Sequence, residues 1–417
     1  MQSNLPESWC IKSFKDSFSS VSPIFKMKQK EYLDTGLYPI IDQGESFIGG
    51  YTNSDAGIIS DIPLIVFGDH TRRFKYIDFP FVAGADGLKI YKPIYTDIKF
   101  SYYQCLSLDF PNKGYARHNA FLSKCNFMIP PLAEQKRIVG KIEELFAEVD
   151  KGIDLLKQKQ AELKKYRQSV LSAAFSGKLY KTTEWQETNL GAIVSSDKHS
   201  IKRGPFGSCL RKEFFVQTGV RVFEQYNPIN GDPYWARYFI TPEKFEELSA
   251  FKAGSGDLLI SCSGTLGKIL ELPNDVQEGI INQALLKIRL NNELILNSFF
   301  IHWFNSPRVQ RMILDNVRGA AIQNIASVKE LKQIAISLPT MSEQEQIVAE
   351  IEQRFEKADI LEKSIVNALE SAEKLKQSIL KKAFEGTLVP QDPNDEPASV
   401  LLNRIKSEQS PKKGKKK

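Results

Sequence analysis

Glu134-Gln135-Lys136-Arg137-Ile138-Val139 opens a stretch that closes on Ala174-Phe175-Ser176-Gly177-Lys178-Leu179. The same stretch recurs as Glu343-Gln344-Glu345-Gln346-Ile347-Val348, closing on Ala383-Phe384-Glu385-Gly386-Thr387-Leu388. Starts and ends are displaced equally, from 134 to 343 and from 179 to 388, so the two copies align without a gap. A repeat at fixed spacing sets the architecture before any local signal does. It makes the chain two similar halves, able to present two similar surfaces about an approximate two-fold axis.

Within the first copy Ile142, Val149, Leu156, Leu163 and Val170 recur every seven residues, with Leu145, Phe146, Ile153 and Tyr166 between them. The second copy carries Ile351, Ala358, Ile365, Ala372 and Ile379 on the equivalent stripe, with Phe355, Leu361, Leu369 and Leu375 nearby. A seven-residue apolar step is the seam of a coiled coil. The small residues of one copy match the larger ones of the other, so the spacing predicts that the two helices pack on each other. Pro130 and Pro131 precede the first helix, Gly152 marks a candidate bend, and Gly177 and Gly386 suit helix stops. About 42 residues of helix would extend roughly 60 Å, enough to act as a spacer.

The regions outside the repeats mix short apolar runs with Gly, Asp and Pro. Leu64-Ile65-Val66-Phe67, Asp257-Leu258-Leu259-Ile260-Ser261 and Ile280-Ile281 are strand candidates. Both mixed regions open on an acidic residue near Trp (Glu7 and Trp9, Glu184 and Trp185) and close on Pro; beyond that they look unlike each other: the helices are duplicated and the globular parts have diverged. The expected order is a globular domain over 1–131, a helix over 132–179, a second domain over 180–339, a helix over 340–389 and a polar, lysine-rich tail over 390–417. The fold class is mixed α/β (α+β), with two globular domains separated by an antiparallel coiled coil.

The net charge is +6, and Pro411-Lys412-Lys413-Gly414-Lys415-Lys416-Lys417 holds five lysines, which leaves the body close to neutral. Nucleic-acid binding would therefore need local patches, and the tail's composition predicts disorder. Five scattered cysteines without CxxC spacing fit a reducing, cytoplasmic setting and disfavour a disulfide framework or zinc ribbon. The N-terminus lacks a secretory pattern, and no apolar run approaches a membrane span. Gly264-Thr265-Leu266-Gly267-Lys268-Ile269 misses the phosphate-loop spacing and reads as a tight turn. The four histidines show no metal spacing, and Ile129-Pro130-Pro131-Leu132 lacks the polar and aromatic partners of a methyltransferase motif.

The doubled order of globular part and helix resembles the specificity subunit of type I restriction–modification enzymes. The resemblance rests on Pro131-Leu132-Ala133-Glu134-Gln135 and Pro339-Thr340-Met341-Ser342-Glu343-Gln344 at the helix starts, and on Ala-Phe-x-Gly-x-Leu at their ends. The second start has one extra residue. Gly204-Pro205-Phe206-Gly207-Ser208, Gly256 to Ser261, Gly264 to Lys268, Gly319 to Ile325, and Phe67-Gly68-Asp69-His70-Thr71-Arg72 are similar to pieces of the family's target recognition domains. The resemblance implies a non-catalytic chain that reads a bipartite, asymmetric DNA target, one part per domain. It also implies docking of two modification subunits, which carry S-adenosylmethionine and methylate adenine, and of restriction subunits that use ATP and Mg2+. A coiled-coil assembly protein with protein-binding domains is the alternative.

DNA contact needs cations for phosphate and forked or small polar groups for base edges. His70, Thr71, Arg72, Arg73 and Lys75 form one candidate patch, interleaved with Phe74 and Tyr76. Lys113, Arg117 and His118 form a second. Lys202, Arg203, Ser208, Arg211 and Lys212, around the glycines at 204 and 207, form a third. Each also fits a solvated loop or a structural turn.

Overall fold

A computed structural model describes residues 5–85, 87–109, 114, 117–178, 185–315, 325 and 327–409. The chain divides into two compact units, Met1–Lys157 with Val366–Lys417, and Gln158–Ile365. Both divisions fall inside the long helices, Leu132–Ala174 and Met341–Phe384. Each unit thus owns a globular domain and part of each helix.

The first unit holds β1 (Cys10–Ser13), β2 (Phe18–Val21), β3 (Tyr38–Ile41), β4 (Gly50–Thr52), β5 (Ile58–Ile59), β6 (Leu64–Gly68), β7 (Phe74–Ile77), β8 (Phe81–Ala83), β9 (Leu88–Pro93) and β10 (Asn126–Ile129). They form two four-stranded sheets, β2-β9-β6-β7 and β4-β3-β8-β5, and a β1-β10 pair. Only β3 and β8 run parallel among these pairs. The central strand β6 is buried throughout, which explains its unbroken apolar run. Ile65 and Phe67 join an aromatic cluster with Phe14, Phe18 and Phe127, while Leu64 and Val66 join Ile41, Phe81 and Leu88 on the opposite face. Period-two alternation sends neighbouring residues to opposite faces.

The second unit holds β11 (Gln186–Asn189), β12 (Ile201–Arg203), β13 (Val220–Phe223), β14 (Phe239–Ile240), β15 (Lys252–Ala253), β16 (Leu258–Ser261), β17 (Ile269–Glu271), β18 (Gly279–Ile281), β19 (Leu285–Ile288) and β20 (Ala335–Leu338). Their orders are β12-β19-β16-β17, β14-β13-β18-β15 and β11-β20, with β13 and β18 parallel. This is the first unit's topology strand for strand. Linking hydrogen bonds recur as well: Gly84 N–H to Ile41 O (2.8 Å) matches Asn282 N–H to Phe223 O (3.0 Å). Asp69 N–H to Gly87 O (2.7 Å) matches Cys262 N–H to Ala284 O (2.8 Å). The globular parts, diverged in sequence, therefore keep one strand topology. Sheet topology depends on which positions are apolar, so it persists where residue identity has drifted.

In the first unit Ile138 and Ile142 share a core with Ile379, Leu380 and Ala383, and Val149 packs at its edge. In the second, Val170, Leu171 and Ala174 share a core with Ile347, Val348 and Ile351. The start of one helix meets the end of the other in both units, so they run antiparallel. Leu156 and Leu163 are half-buried, and Ala358 and Ile365 are buried. Leu361 and Leu375 instead face solvent at 54% and 50% exposure. Ion pairs flank the seam, Lys376 with Asp150 (2.5 Å) and Arg167 with Asp359 (2.5 Å) and Glu362 (3.1 Å). The first helix continues through Gly152. Gly177 and Gly386, at φ +70° and +75°, take the left-handed conformation that ends helices.

The repeated Gln of each helix start is fully buried. Gln135 donates from Nε2 to Pro130 O (2.9 Å) and accepts at Oε1 from Asp97 N–H (2.7 Å). Gln344 donates to Pro339 O (3.1 Å) and Leu294 O (2.9 Å), and accepts from Leu296 N–H (2.9 Å). The preceding Glu is not equivalent in the two copies. Glu134 is buried and accepts from Trp9 Nε1 (2.9 Å), whereas Glu343 caps its own helix at Thr340 N–H (3.0 Å). Burial raises the Glu134 carboxyl above the ordinary glutamate value, against the hydrogen bonds from Trp9 and Gln391.

The stretch after 389 is not uniformly a tail. Ala398–Gln409 is a helix whose first residue is buried and donates its N–H to Ser8 O (3.0 Å), and Asp395 pairs with Arg137 at 2.6 Å. The lysine run at 412–417 lies outside the described residues.

Ile142→Asp should destabilise the first unit by several kcal/mol, because an unpaired carboxylate would enter a closed apolar seam. Leu155→Asp, at a position 55% exposed, should change stability by less than about 0.5 kcal/mol; urea unfolding of both variants checks the contrast. Gln135→Ala leaves the Pro130 carbonyl and the Asp97 N–H without partners and should lower stability by about 2–3 kcal/mol in the same measurement.

Candidate nucleic-acid interface

In the first unit the turn from β6 to β7 carries the residues of the first candidate patch. Gly68 N–H bonds Arg73 O (2.9 Å) and Arg72 N–H bonds Gly68 O (2.7 Å), so residues 69–72 are drawn into a tight reversal. Arg72 sits at φ +60°, a left-handed conformation that is unfavourable for a side chain of its size. Thr71 Oγ1 donates to Gln43 O (2.6 Å), and His70 N–H donates to Gln43 Oε1 (3.3 Å). Thr71, Arg72, Arg73, Glu45 and Asp109 line an open depression of about 510 Å³. Arg73 pairs with Glu45 at 2.8 Å, both side chains largely exposed (52% and 84%). Such a pair contributes little to stability and can be exchanged for a phosphate.

Two members of the predicted patches are structural instead. Lys75 is buried, its Nζ donating to Asp42 O (2.8 Å) and Ser46 O (2.7 Å), so its cation is spent inside the domain. Burial lowers its ammonium below the ordinary lysine value, with Asp42 opposing. His118 is also fully buried, its Nδ1 2.9 Å from Asp69 O, and it fastens the segment before Asn119 to the β6–β7 turn. Asn119 N–H adds a bond to Asp69 Oδ1 (2.7 Å). Arg117 is exposed, and Lys113 lies outside the described residues.

In the second unit β12, β13, β16 and β18 end at one rim. Asn282, after β18, donates its N–H to Phe223 O, at the end of β13, while Cys262, after β16, bonds Ala284 O (2.8 Å). Gly204, after β12, packs so closely that a Cβ there would stand 1.8 Å from Asn282 O, which demands glycine. Lys202 and Arg203 lie on β12, half-buried, with Lys202 Nζ 5.0 Å above the Phe251 ring. Phe206 projects at 88% exposure. Lys202, Arg203, Pro205, Phe206, Phe251 and Gln283 line an open depression of about 670 Å³. Ser208, Arg211 and Lys212 are exposed beyond it, and Arg211 is within 3.5 Å of Glu213.

Sequence reading passed over three features. His199 belongs to a basic cluster: desolvation first, then Lys202, Lys198 and Lys287, lower its imidazole below the ordinary value. Arg237 stacks on Tyr238 (4.4 Å) and holds Glu224 (3.0 Å), while Tyr226 stacks on Trp235 (4.2 Å). The interleaving in Tyr234-Trp235-Ala236-Arg237-Tyr238 was the available signal. Gln43 and Gln225, the residues two past β3 and β13, occupy matched positions that no local pattern reveals. The segment 319–324 lies outside the described residues, as does the boundary near 180. Among the described residues no group of three or more His, Cys, Asp or Glu could hold a metal ion, and no helix is long and apolar enough to cross a membrane.

A family model described as the type I restriction modification DNA specificity domain matches residues 6–165 and 212–371. The chain is 29% identical over 316 residues to the EcoBI specificity subunit of Escherichia coli, covering 69% of this chain and 65% of that protein. It is 31% identical over 316 residues to the EcoKI specificity subunit of Escherichia coli strain K12, with coverages of 70% and 65%. The chain thus spans about two thirds of the length of these relatives, just under it at 65%. The EcoR124I/EcoR124II specificity subunit of Escherichia coli is 26% identical over 380 residues, covering 85% and 87%. A chain in a solved structure of the type I R-M system shares the fold, with TM-score 0.65 at 18% identity over 92% of this chain and 100% of that one. Two matches, each joining a globular region to most of a long helix, establish that the chain belongs to the family of type I restriction modification DNA specificity domains.

Proposed function

We propose that the chain is the DNA specificity subunit of a type I restriction–modification complex, reading a bipartite, asymmetric target. The observation that carries this reading is one strand topology used twice with different rim chemistry. The first unit offers Thr71, Arg72 and Arg73 on a tight turn; the second offers Lys202, Arg203 and Arg211 around a glycine-lined edge. Like frames carrying unlike readers call for a target with unlike halves. The helices would dock two modification subunits, and restriction subunits would join them. S-adenosylmethionine, ATP and Mg2+ would be bound by those partners, in the cytoplasm. A coiled-coil assembly protein would use the same helices but gives no reason for basic rims at the ends of matched strands.

Methylation-site mapping with the reconstituted modification complex tests the proposal. Substituting Arg72 and Arg73 together should disturb one half of the target, and Arg203 with Arg211 the other. Loss of a base contact should reduce discrimination at one position by about 1–3 kcal/mol, whereas loss of a phosphate contact should weaken all sequences alike. A palindromic target, or one pair altering both halves, overturns the reading. The purified chain alone should transfer no methyl group from S-adenosylmethionine and hydrolyse no ATP; turnover of either would refute its role as a reader.

A further inference from the structure

The two units differ at one matched pair of side chains. In the first, Asp42 Oδ1 accepts from Gly44 N–H (2.8 Å), and Gln43 Oε1 accepts from His70 N–H (3.3 Å). In the second, the counterparts are Glu224 and Gln225. Glu224 gives Oε1 to Arg237, but its Oε2 and Gln225 Oε1 are both buried without a hydrogen-bond partner among the described residues. Glu224 as a whole is only 8% exposed. The adjacent turn accounts for the difference. In the first unit four residues, 69–72, separate the bonded Gly68 and Arg73, and they press a backbone N–H onto Gln43. In the second, six residues, 262–267, separate Ser261 and Lys268. That longer turn places Gly264 beside Gln225, and among the described residues a Cβ on Gly264 would meet nothing within 4 Å except Gln225 Oε1, at 3.9 Å. Next to this space Tyr226 is 42% exposed and stacked on Trp235.

We infer that Gln225 is a specificity-determining residue of the second unit, turning its side-chain amide outward onto the major-groove edge of an adenine. The inference rests on the duplex-reading function proposed above. An acceptor buried without a donor destabilises the free state and is relieved when the amide meets one. A glutamine amide offers one acceptor and one donor, which match the N6 amino group and N7 of adenine. Guanine presents two acceptors at the same edge, so neither Gln225 Oε1 nor Glu224 Oε2 would find a donor there. Gln43, already tied to His70, has no such role in the first unit.

The test is methylation-site mapping of the complex assembled with its modification subunits, on a duplex library randomised across the target. Gln225→Ala should reduce preference for adenine at one position of one half by roughly 10- to 100-fold and leave the other positions unchanged. Gln225→Glu, nearly isosteric, should move preference at that position towards cytosine, whose N4 amino group suits a carboxylate. Wild-type preference at every position in both variants overturns the inference. So does an equal loss at all positions, or loss of all methylation by both, since Gln225 would then hold a phosphate or the domain itself. A wild-type complex that methylates without sequence preference removes the duplex-reading function, and this inference with it.

Discussion

A buried amide at the start of each long helix is the contact on which the molecule's organisation depends. Gln135 and Gln344 each use both ends of the side chain, donating to a proline carbonyl one turn back and accepting from a backbone N–H of the globular domain. No other uncharged side chain of that length both donates and accepts, and burial makes an unfilled partner expensive. The helix is thereby fixed in angle and rotation to the domain it leaves. The Glu beside it is free to differ, which is why Glu134 braces Trp9 while Glu343 caps a helix.

On those fixed frames, the two domains repeat one arrangement of strands and vary the turns beyond the strand ends. Cores such as Ile65 and Phe67, or Leu258 and Ile260, hold the strands in register. The turns carry few core contacts and can change length and charge at small cost. A turn of four residues in one unit and six in the other is enough to satisfy Gln43 and leave Gln225 unsatisfied. Where the rim does constrain sequence, it does so sterically, as at Gly204 against Asn282.

Burial also sorts the cations. Lys75 and Lys287 are inside their domains, with Nζ on backbone carbonyls, and burial lowers both below the ordinary lysine value. Arg73 and Arg211 stay at the surface in pairs that water screens. Only the second kind can exchange a carboxylate for a phosphate without unmaking the fold. A basic run in sequence such as Arg72-Arg73-Phe74-Lys75 therefore mixes surface and interior.

The sequence by itself determined the doubled helix, its seven-residue seam at Ile142, Val149 and Val170, its glycine stops, and the strand candidates that became β6 and β16. These are local regularities, in which each residue's role is set by its distance along the chain. Only the tertiary structure decided that the diverged globular domains keep one strand topology, that His118 and Lys75 belong to the interior, that Arg237 is stacked on Tyr238, and that among the described residues Gln225 Oε1 lacks the donor that Gln43 Oε1 has. Each of those depends on which strand ends are brought side by side, and residues tens of positions apart meet there through pairings that no short-range pattern records.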